Sequence, residues 1–230
     1  MKNLFPDLAR IGLGANCARP ALRVLIALML MLNAAVAGGA ETDRKTIVIL
    51  GDSIAAGHGV DPAEAFPGLL QERINEMKLP YEVVNAGVSG DTTAGGVRRM
   101  PWLLKRKMCV LVLELGGNDG LRGITPKETK TNLEKIIDLA RENNPGIQII
   151  VAGMQMPQNM GEEYTREFRE VFPKVAKEKK TKLIPFLLEG VGGKAEFNLP
   201  DRIHPNPKGH KIIADTVWSA LTPLLTERKP

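Results

Sequence analysis

The chain has 230 residues, of which 43% are hydrophobic and 25% charged, and its formal net charge is +5. This length and apolar content are sufficient for one globular domain with a full core. The first 37 residues carry four basic and one acidic side chain, a net +3, so only +2 belongs to the remainder. The composition therefore gives no support to nucleic-acid binding.

A leader is predicted at the amino terminus, where the basic residues precede a charge-free stretch over residues 24–37. This order, ending in Ala35-Val36-Ala37, is typical of a secretory signal peptide, and the apolar run is shorter than the roughly 20 residues of a membrane-spanning helix. We predict a signal peptide over residues 1–37, with cleavage after Ala37 or Ala40, export and no stable membrane span afterwards; retention as an anchor is the alternative. Cleavage would remove Cys17 and leave Cys109 alone, in a run typical of a buried strand.

Five apolar runs typical of strands alternate with helical patterns in the rest of the chain. The predicted strands are Thr46–Leu50, Tyr81–Asn85, Val110–Leu115, Ile147–Ala152 and Lys182–Phe186. The predicted helices are Phe66–Met77, Thr93–Arg106, Pro126–Asn143, Glu162–Glu178 and Pro207–Leu221. This alternation predicts one three-layer α/β/α domain over residues 44–222, with a five-stranded parallel sheet covered on both faces. The loops after the strands would meet at one edge, where ligands bind in open α/β sheets.

The first predicted strand leads into Gly51-Asp52-Ser53-Ile54, where a sharp turn would expose a serine hydroxyl at the sheet edge. A phosphate-binding loop is not indicated, because the glycines at 51 and 57 have the wrong spacing and no lysine follows. A dinucleotide-binding G-x-G-x-x-G is absent, and the G-x-S-x-G elbow of α/β-hydrolases fails at Ala55. A serine nucleophile remains open, and it requires a base and oxyanion donors elsewhere in the chain.

Three histidines are candidates for the base that a serine hydroxyl needs at neutral pH. His204 follows Asp201 by three residues in a loop bounded by prolines, so the carboxylate can fold back and accept the imidazole N–H. The same D-x-x-H spacing also occurs in ordinary surface turns. His58 is close to Ser53 along the chain and could line the site, whereas His210 is predicted to be a surface or helix-start residue.

Two later loops offer donors for a developing oxyanion, each worth roughly 3 kcal/mol in the transition state. Gly87, after the second strand, could present its backbone N–H with no side chain in the way. Asn118, after the third strand, would supply a side-chain amide behind Gly116 and Gly117. Each segment also suits a simple turn, but both follow successive strands and would reach the same edge.

These segments together resemble the four sequence blocks of the SGNH (GDSL-type) hydrolases. The blocks are Gly51-Asp52-Ser53-Ile54, Gly87, Gly116-Gly117-Asn118-Asp119 and Asp201-x-x-His204. The stretches 85–93, 113–123 and 203–206 are similar to the bacterial periplasmic branch of thioesterase I, arylesterase and lysophospholipase. Ile54 stands where the family usually has leucine, and His58 stands where tyrosine is common in that branch.

The resemblance implies a flavodoxin-like SGNH fold, a periplasmic location and a serine esterase that forms an acyl-enzyme and uses no metal or cofactor. Ser53 would be the nucleophile, His204 the general base and then acid, and Asp201 its orienting carboxylate. The backbone N–H groups of Ser53 and Gly87 and the amide of Asn118 would form the oxyanion hole. Carboxylic esters are the expected substrates, with thioesters and lysophospholipids as further candidates.

Apolar loop residues at the same edge are candidates for the acyl pocket. They are Leu121, Ile124, Met156 and Pro157, although the methionine segment equally suits local core filling. His58 is a further candidate for the pocket wall. Two other functions stay open: a carbohydrate O-acetyl esterase with the same triad, and a non-catalytic binding module with the same fold. A small-molecule acyl ester is the expected partner, nucleic acid is not, and no oligomeric state is predicted.

Overall fold

The structure is a computed structural model that describes residues 44–226. The predicted signal peptide, with its possible cleavage sites after Ala37 and Ala40, and Cys17 lie outside the described residues. No helix between residues 44 and 226 is both long enough and apolar enough to cross a membrane.

Five parallel strands form one sheet in the order β2-β1-β3-β4-β5. The strands are β1 (Lys45–Gly51), β2 (Tyr81–Gly87), β3 (Val110–Glu114), β4 (Gln148–Ala152) and β5 (Lys182–Ile184). This is the flavodoxin-like order, and the direction of winding reverses at β1, where such sheets bind ligands. The register places Gly51 opposite both Gly87 and Glu114, so the ends of three strands meet in one row.

Helices cover both faces of this sheet. They are α1 (Ser53–Ala56), α2 (Phe66–Glu76), α3 (Thr93–Leu103), α4 (Gly117–Leu121), α5 (Pro126–Asn143), α6 (Glu162–Glu178) and α7 (Pro207–Thr226). A 3-10 turn, Gln158–Met160, precedes α6. α2 packs against α7, while α5 packs against both α3 and α6. The predicted three-layer α/β/α architecture is therefore confirmed.

The observed elements differ from the predicted ones at their ends and in two short helices. β5 ends at Ile184 rather than Phe186, because Pro185 has no N–H to continue the ladder. α7 continues to Thr226, five residues beyond the predicted end at Leu221. α1 and α4 have only four and five residues, so neither is long enough for an apolar helical period to show in the sequence.

The sheet core is buried on both faces, as a parallel sheet under two helical layers requires. All five residues of β3 are buried, and the charged Glu114 is one of them. Cys109, just before β3, is half-buried, and its thiol donates to the Thr46 carbonyl at 3.3 Å. The strands therefore form a firm base for the loops at their carboxyl ends.

His210 lies in the first turn of α7, as predicted, but the prediction of a surface position is wrong. Its side chain is fully buried, and Nδ1 accepts the backbone N–H of Phe66 at 3.2 Å. This bond ties α7 to the amino end of α2. Burial lowers the pKa of His210 from 6.5 to about 4, because the charged imidazolium would lose its hydration.

The buried His210 should make the protein sensitive to acid between pH 6.5 and pH 4. In this window His210 takes up a proton in the unfolded chain but not in the folded protein, so acidification lowers the free energy of unfolding. Above pH 6.5 the imidazole is neutral in both states, and His210 makes no pH-dependent contribution to stability. The shift corresponds to about 3 kcal/mol. His210→Asn keeps an acceptor near Nδ1 but cannot titrate.

Urea unfolding of both proteins at pH 7 and pH 4 tests this expectation. The free energy of unfolding of the wild type should fall relative to that of the His210→Asn protein by about 3 kcal/mol over this range. The cavity left by the smaller side chain adds a pH-independent offset, which cancels in this comparison. A difference between the two proteins that stays constant with pH would contradict the assignment.

Candidate active site

Residues 51–54, which include the predicted nucleophile and are here called the nucleophile turn, join the end of β1 to α1. They place Ser53 at the first position of that helix. Asp52 caps the helix, since its Oδ1 accepts the N–H of Ile54 at 3.0 Å. Gly57 ends the helix with a φ of +74°, a conformation that glycine adopts without strain. A one-turn helix thus holds the serine hydroxyl at the carboxyl edge of the sheet.

Glu114 holds the same turn from the neighbouring strand. Its Oε2 accepts the backbone N–H groups of Asp52 at 3.1 Å and of Ala55 at 3.3 Å. A Cβ on Gly51 would lie 2.2 Å from this oxygen, so a side chain at position 51 would displace the carboxylate. The glycine of the first block is therefore required by close packing.

A chain of hydrogen bonds runs from Ser53 through His204 to Asp201. His204 Nε2 lies 3.0 Å from Ser53 Oγ, and His204 Nδ1 lies 2.7 Å from Asp201 Oδ2. The serine and the histidine are 151 positions apart in sequence. The arrangement matches the nucleophile, base and orienting acid of a serine triad.

The loop that carries Asp201 and His204 is built around the aspartate. Asp201 Oδ1 accepts the backbone N–H groups of Ile203 at 2.9 Å and His204 at 3.0 Å, while Oδ2 bonds the His204 ring. Arg202 adopts a φ of +61° at the tip, and Asn198 and Pro205 pair below it. The His204 ring, and then the backbone N–H groups, lower the pKa of Asp201 to about 2, so it remains a carboxylate.

Asn118 lies on α4, and its amide is oriented by the nucleophile turn. Asn118 Nδ2 donates to Asp52 Oδ2 at 3.1 Å. An amide nitrogen carries two hydrogens, and the second makes no hydrogen bond to another residue in the 44–226 range. The Asp52 carboxylate thus joins the nucleophile turn to the candidate oxyanion donor.

Gly87 is close to this turn, but its N–H is engaged. It donates to Asn85 Oδ1 at 2.9 Å, and Asn85 Nδ2 donates to the Ala55 carbonyl at 2.7 Å. A Cβ on Gly87 would lie 2.3 Å from the nitrogen of Ala56, so glycine is needed for β2 to pack against α1. The role of Gly87 as an oxyanion donor stays a prediction.

Comparison with known proteins identifies the family. A profile of the GDSL-like lipase/acylhydrolase family matches residues 49–212. The chain belongs to this family. It is 41% identical over 186 residues to the esterase TesA of Pseudomonas aeruginosa, a match that covers 80% of this chain and 92% of the relative.

Two further comparisons agree with this membership. The chain is 39% identical over 181 residues to the thioesterase 1/protease 1/lysophospholipase L1 of Escherichia coli K12, covering 78% of this chain and 85% of the relative. A crystal structure of TesA matches with a TM-score of 0.75 at 42% identity, covering 79% of this chain and all of the other. The predicted family and fold are confirmed, and the chain is a serine esterase.

Two buried carboxyl groups of this GDSL-family site were not predicted from the sequence as functional residues. Burial raises the pKa of Asp52 to about 6, against the opposing effect of its hydrogen bonds. Burial, and next the charge of Asp52, raise the pKa of Glu114 well above its usual value. The available signal was a charged residue at the end of an otherwise apolar strand, which is unusual in a fully buried position.

Arg99 is a third residue that sequence reasoning missed. Its guanidinium donates to the carbonyls of Ala86 at 2.8 Å and Gly51 at 3.3 Å, at the ends of β2 and β1. Asp91 accepts from its Nε at 2.8 Å. This arginine fixes the two strand ends beside the nucleophile, and nothing in its position along α3 indicated that role.

The predicted acyl-pocket residues lie in two segments, one at and after the end of α4 and the other after β4. Leu121, at the end of α4, is 45% exposed, while Ile124 is half-buried with its carbonyl bonded to the Tyr164 hydroxyl at 2.8 Å. Met156 packs so closely on Gly120 that a Cβ there would lie 2.1 Å from its sulfur. Pro157, the next residue, is exposed.

Met156 also lines a cleft of about 530 Å³ whose other walls are polar. They consist of Gln155, Gln158, Glu162, Thr165, Arg166 and Arg169. Charged and amide side chains do not suit a buried hydrocarbon chain. This cleft therefore gives no support to an acyl pocket at the methionine segment, and the roles of Met156 and Pro157 stay predictions.

His58 is the predicted lining residue that lies nearest the triad. Its exposed ring lies 4.3 Å from the His204 ring, centroid to centroid, with the planes tilted by 41°. One potential ligand atom from each of His58, Asp201 and His204 lies within 4.8 Å of the other two. The sequence predicted no metal site.

Asp52→Asn should lower kcat about 100-fold, although asparagine has nearly the same size. Both Asp52 oxygens accept an N–H, from Ile54 and from Asn118, and an asparagine has only one acceptor oxygen. One donor would therefore face an NH₂ group. Because the oxyanion forms only in the transition state, KM should change little.

Steady-state kinetics with an aryl ester would measure this effect, with Asp61→Asn as the matched control. Asp61 caps an exposed turn through the N–H of Ala63, so its replacement should leave kcat unchanged. Asn118→Ala should reduce kcat to a similar degree, and the double variant should lose little more, because both residues act through one amide. If the loss of kcat in the double variant equals the product of the two single losses, Asp52 does not act through the Asn118 amide.

Proposed function

We propose that Ser53, His204 and Asp201 are the catalytic triad of this esterase. The observation that supports the assignment is the continuous hydrogen-bond chain of 3.0 Å and 2.7 Å through His204. His204 Nε2 takes the hydroxyl proton as Ser53 Oγ attacks the acyl carbon. Asp201 fixes the tautomer of the ring and stabilises the imidazolium.

The reaction proceeds through an acyl-enzyme in two halves. In the first, the tetrahedral intermediate collapses, and His204 gives its proton to the departing alcohol or thiol. In the second, His204 takes a proton from water, the hydroxide attacks the acyl carbon, and Ser53 departs with the proton. The products are the free acid, the alcohol or thiol, and the unchanged enzyme.

The oxyanion of both intermediates is held by Asn118 and the backbone N–H of Ser53, with Gly87 as a third donor. The Ser53 N–H lies in the first turn of α1, where N–H groups have no partner within the helix. The Asn118 amide is held by Asp52 and has a second hydrogen to donate. Gly87 can donate to the oxyanion only when its N–H gives up its hydrogen bond to Asn85 Oδ1.

The acyl chain lies against an exposed apolar rim around the triad. Val88, Leu121 and Ile203 are 46%, 45% and 50% exposed, and each is within three positions of Gly87, Asn118 or His204. Because each of these exposed apolar residues is so near a site residue along the chain, we propose that they form part of one ligand surface. This rim supports acyl esters as substrates, and the name of the Escherichia coli relative supports thioesters and lysophospholipids as well.

The location is part of the same proposal. Residues 1–37 act as a signal peptide, with cleavage after Ala37 or Ala40, and direct the catalytic domain over residues 44–222 to the periplasm. The basic, apolar and small-residue order of this segment supports export. The amino-terminal sequence of the protein purified from the periplasm would identify the cleavage site.

Ser53→Ala should lower kcat at least about 10³-fold and abolish labelling by a fluorophosphonate probe. Ser89→Ala is the matched control, because Ser89 is an exposed serine in the loop after β2. Peptide mapping of the labelled wild type would locate the adduct. Esterase activity that survives in Ser53→Ala, or an adduct on another serine, would refute the assignment.

Activity on aryl esters should increase with acyl length from acetyl to octanoyl. Each methylene buried on the rim contributes up to about 0.8 kcal/mol, or about fourfold in kcat/KM. Leu121→Ser should reduce octanoyl hydrolysis and leave acetyl hydrolysis unchanged, whereas Met77→Ser, at an exposed apolar residue after α2, should affect neither. Highest activity on acetyl esters would favour the carbohydrate O-acetyl esterase instead.

A further inference from the structure

His58 is held against the catalytic base by its own backbone. Its N–H donates to the Ser53 carbonyl at 3.0 Å, directly after α1. Gly57 and Gly59 on either side have φ values of +74° and +75°, so the segment turns sharply and presents the ring outwards. The ring nitrogens of His58 make no hydrogen bond to another described residue.

The loop that carries the other two groups lies directly against this segment. A Cβ on Gly59 would lie 2.6 Å from Leu199 Cδ1, and Leu199 is bonded through its N–H to the His204 carbonyl at 2.8 Å. The two loops are therefore in contact below the three side chains. Their proximity follows from packing of the backbone and does not depend on the exposed rings alone.

We propose that His58, Asp201 and His204 bind one Zn²⁺ ion in a reversible site that inhibits the esterase. Two imidazoles, one carboxylate and an open position for water are a donor set that zinc commonly adopts. The three ligand atoms already lie within 4.8 Å of one another. With bonds of about 2.1 Å, tetrahedral ligands are about 3.4 Å apart, and rotation of the exposed His58 ring shortens the remaining distance.

Binding of zinc and catalysis exclude each other because they use the same lone pairs. Ligation through His204 Nε2 occupies the lone pair that must take the Ser53 proton. Ligation through Nδ1 leaves the ring proton on Nε2, so that Nε2 has no lone pair to take the Ser53 proton. In either case the serine loses its base, and removal of the ion by a chelator restores it.

Zinc titration of the purified protein tests the proposal by calorimetry and by esterase rate. We expect one Zn²⁺ per chain, loss of activity as the site fills, and full recovery with a chelator. Mg²⁺ should not inhibit, because it prefers a shell of oxygen ligands and water. Absence of calorimetric binding, or binding without inhibition, would overturn the proposal.

His58→Phe is the decisive variant because it keeps an aromatic ring beside His204 and removes the ligand nitrogens. The zinc concentration for half inhibition should rise at least about 10-fold, with each protein compared with its own zinc-free rate. Glu64→Gln, which removes an exposed carboxylate nearby in the chain, should behave like the wild type. Equal inhibition of His58→Phe and the wild type would place the zinc elsewhere and overturn the site.

Ser53→Ala separates this proposal from the assignment of the nucleophile. The variant keeps all three ligands, so it should bind one Zn²⁺ by calorimetry although it is inactive. Loss of zinc binding in Ser53→Ala would contradict the proposed ligand set. Residual esterase activity of Ser53→Ala in zinc-free buffer would contradict the assignment of the triad. The zinc proposal would then be decided by the calorimetric result alone.

Discussion

The Asp52 carboxylate is the interaction on which the site depends, because each of its oxygens holds a different element. One oxygen caps the helix that carries Ser53, and the other fixes the amide of Asn118. The sheet register makes this possible, since Gly51 lies opposite Gly87 on one side and Glu114 on the other. The turn that carries Ser53, the glycine at position 87 and the supporting carboxyl group of Glu114 therefore lie at the ends of three neighbouring strands.

This arrangement requires two carboxyl groups to be buried side by side, which opposes folding. Burial favours the neutral form of each group and raises both pKa values, and the charge of Asp52 raises the pKa of Glu114 further. Backbone N–H groups on Asp52 and Glu114 offset part of this cost, and the apolar core beneath the sheet supplies the remaining stability.

The sequence predicted the sheet, its long helices and the pairing of Asp201 with His204 from local signs, whereas the link of this pair to Ser53 came from the resemblance to the SGNH hydrolases. Strands and long helices have apolar periods, and Asp201 lies within one turn of His204. The one-turn helices α1 and α4 have no such period, and burial of His210 depends on Phe66, 144 positions away. The engaged N–H of Gly87 and the contacts of Arg99 likewise arise from the folded chain, so no local pattern could indicate them.

The features that suit His204 to its proposed role as a base also make it a potential metal ligand. A base needs an accessible lone pair and a neighbouring carboxylate, and these are two of the conditions for binding zinc. A third nearby donor would complete a zinc site with these two groups. His58 supplies this donor, since its ring lies 4.3 Å from the His204 ring and its backbone N–H is bonded to the Ser53 carbonyl. A residue without a ligand atom at position 58 would leave the triad intact. Zinc would then have only two ligands from the protein and would bind weakly. Sensitivity to zinc would therefore be determined by one side chain outside the triad.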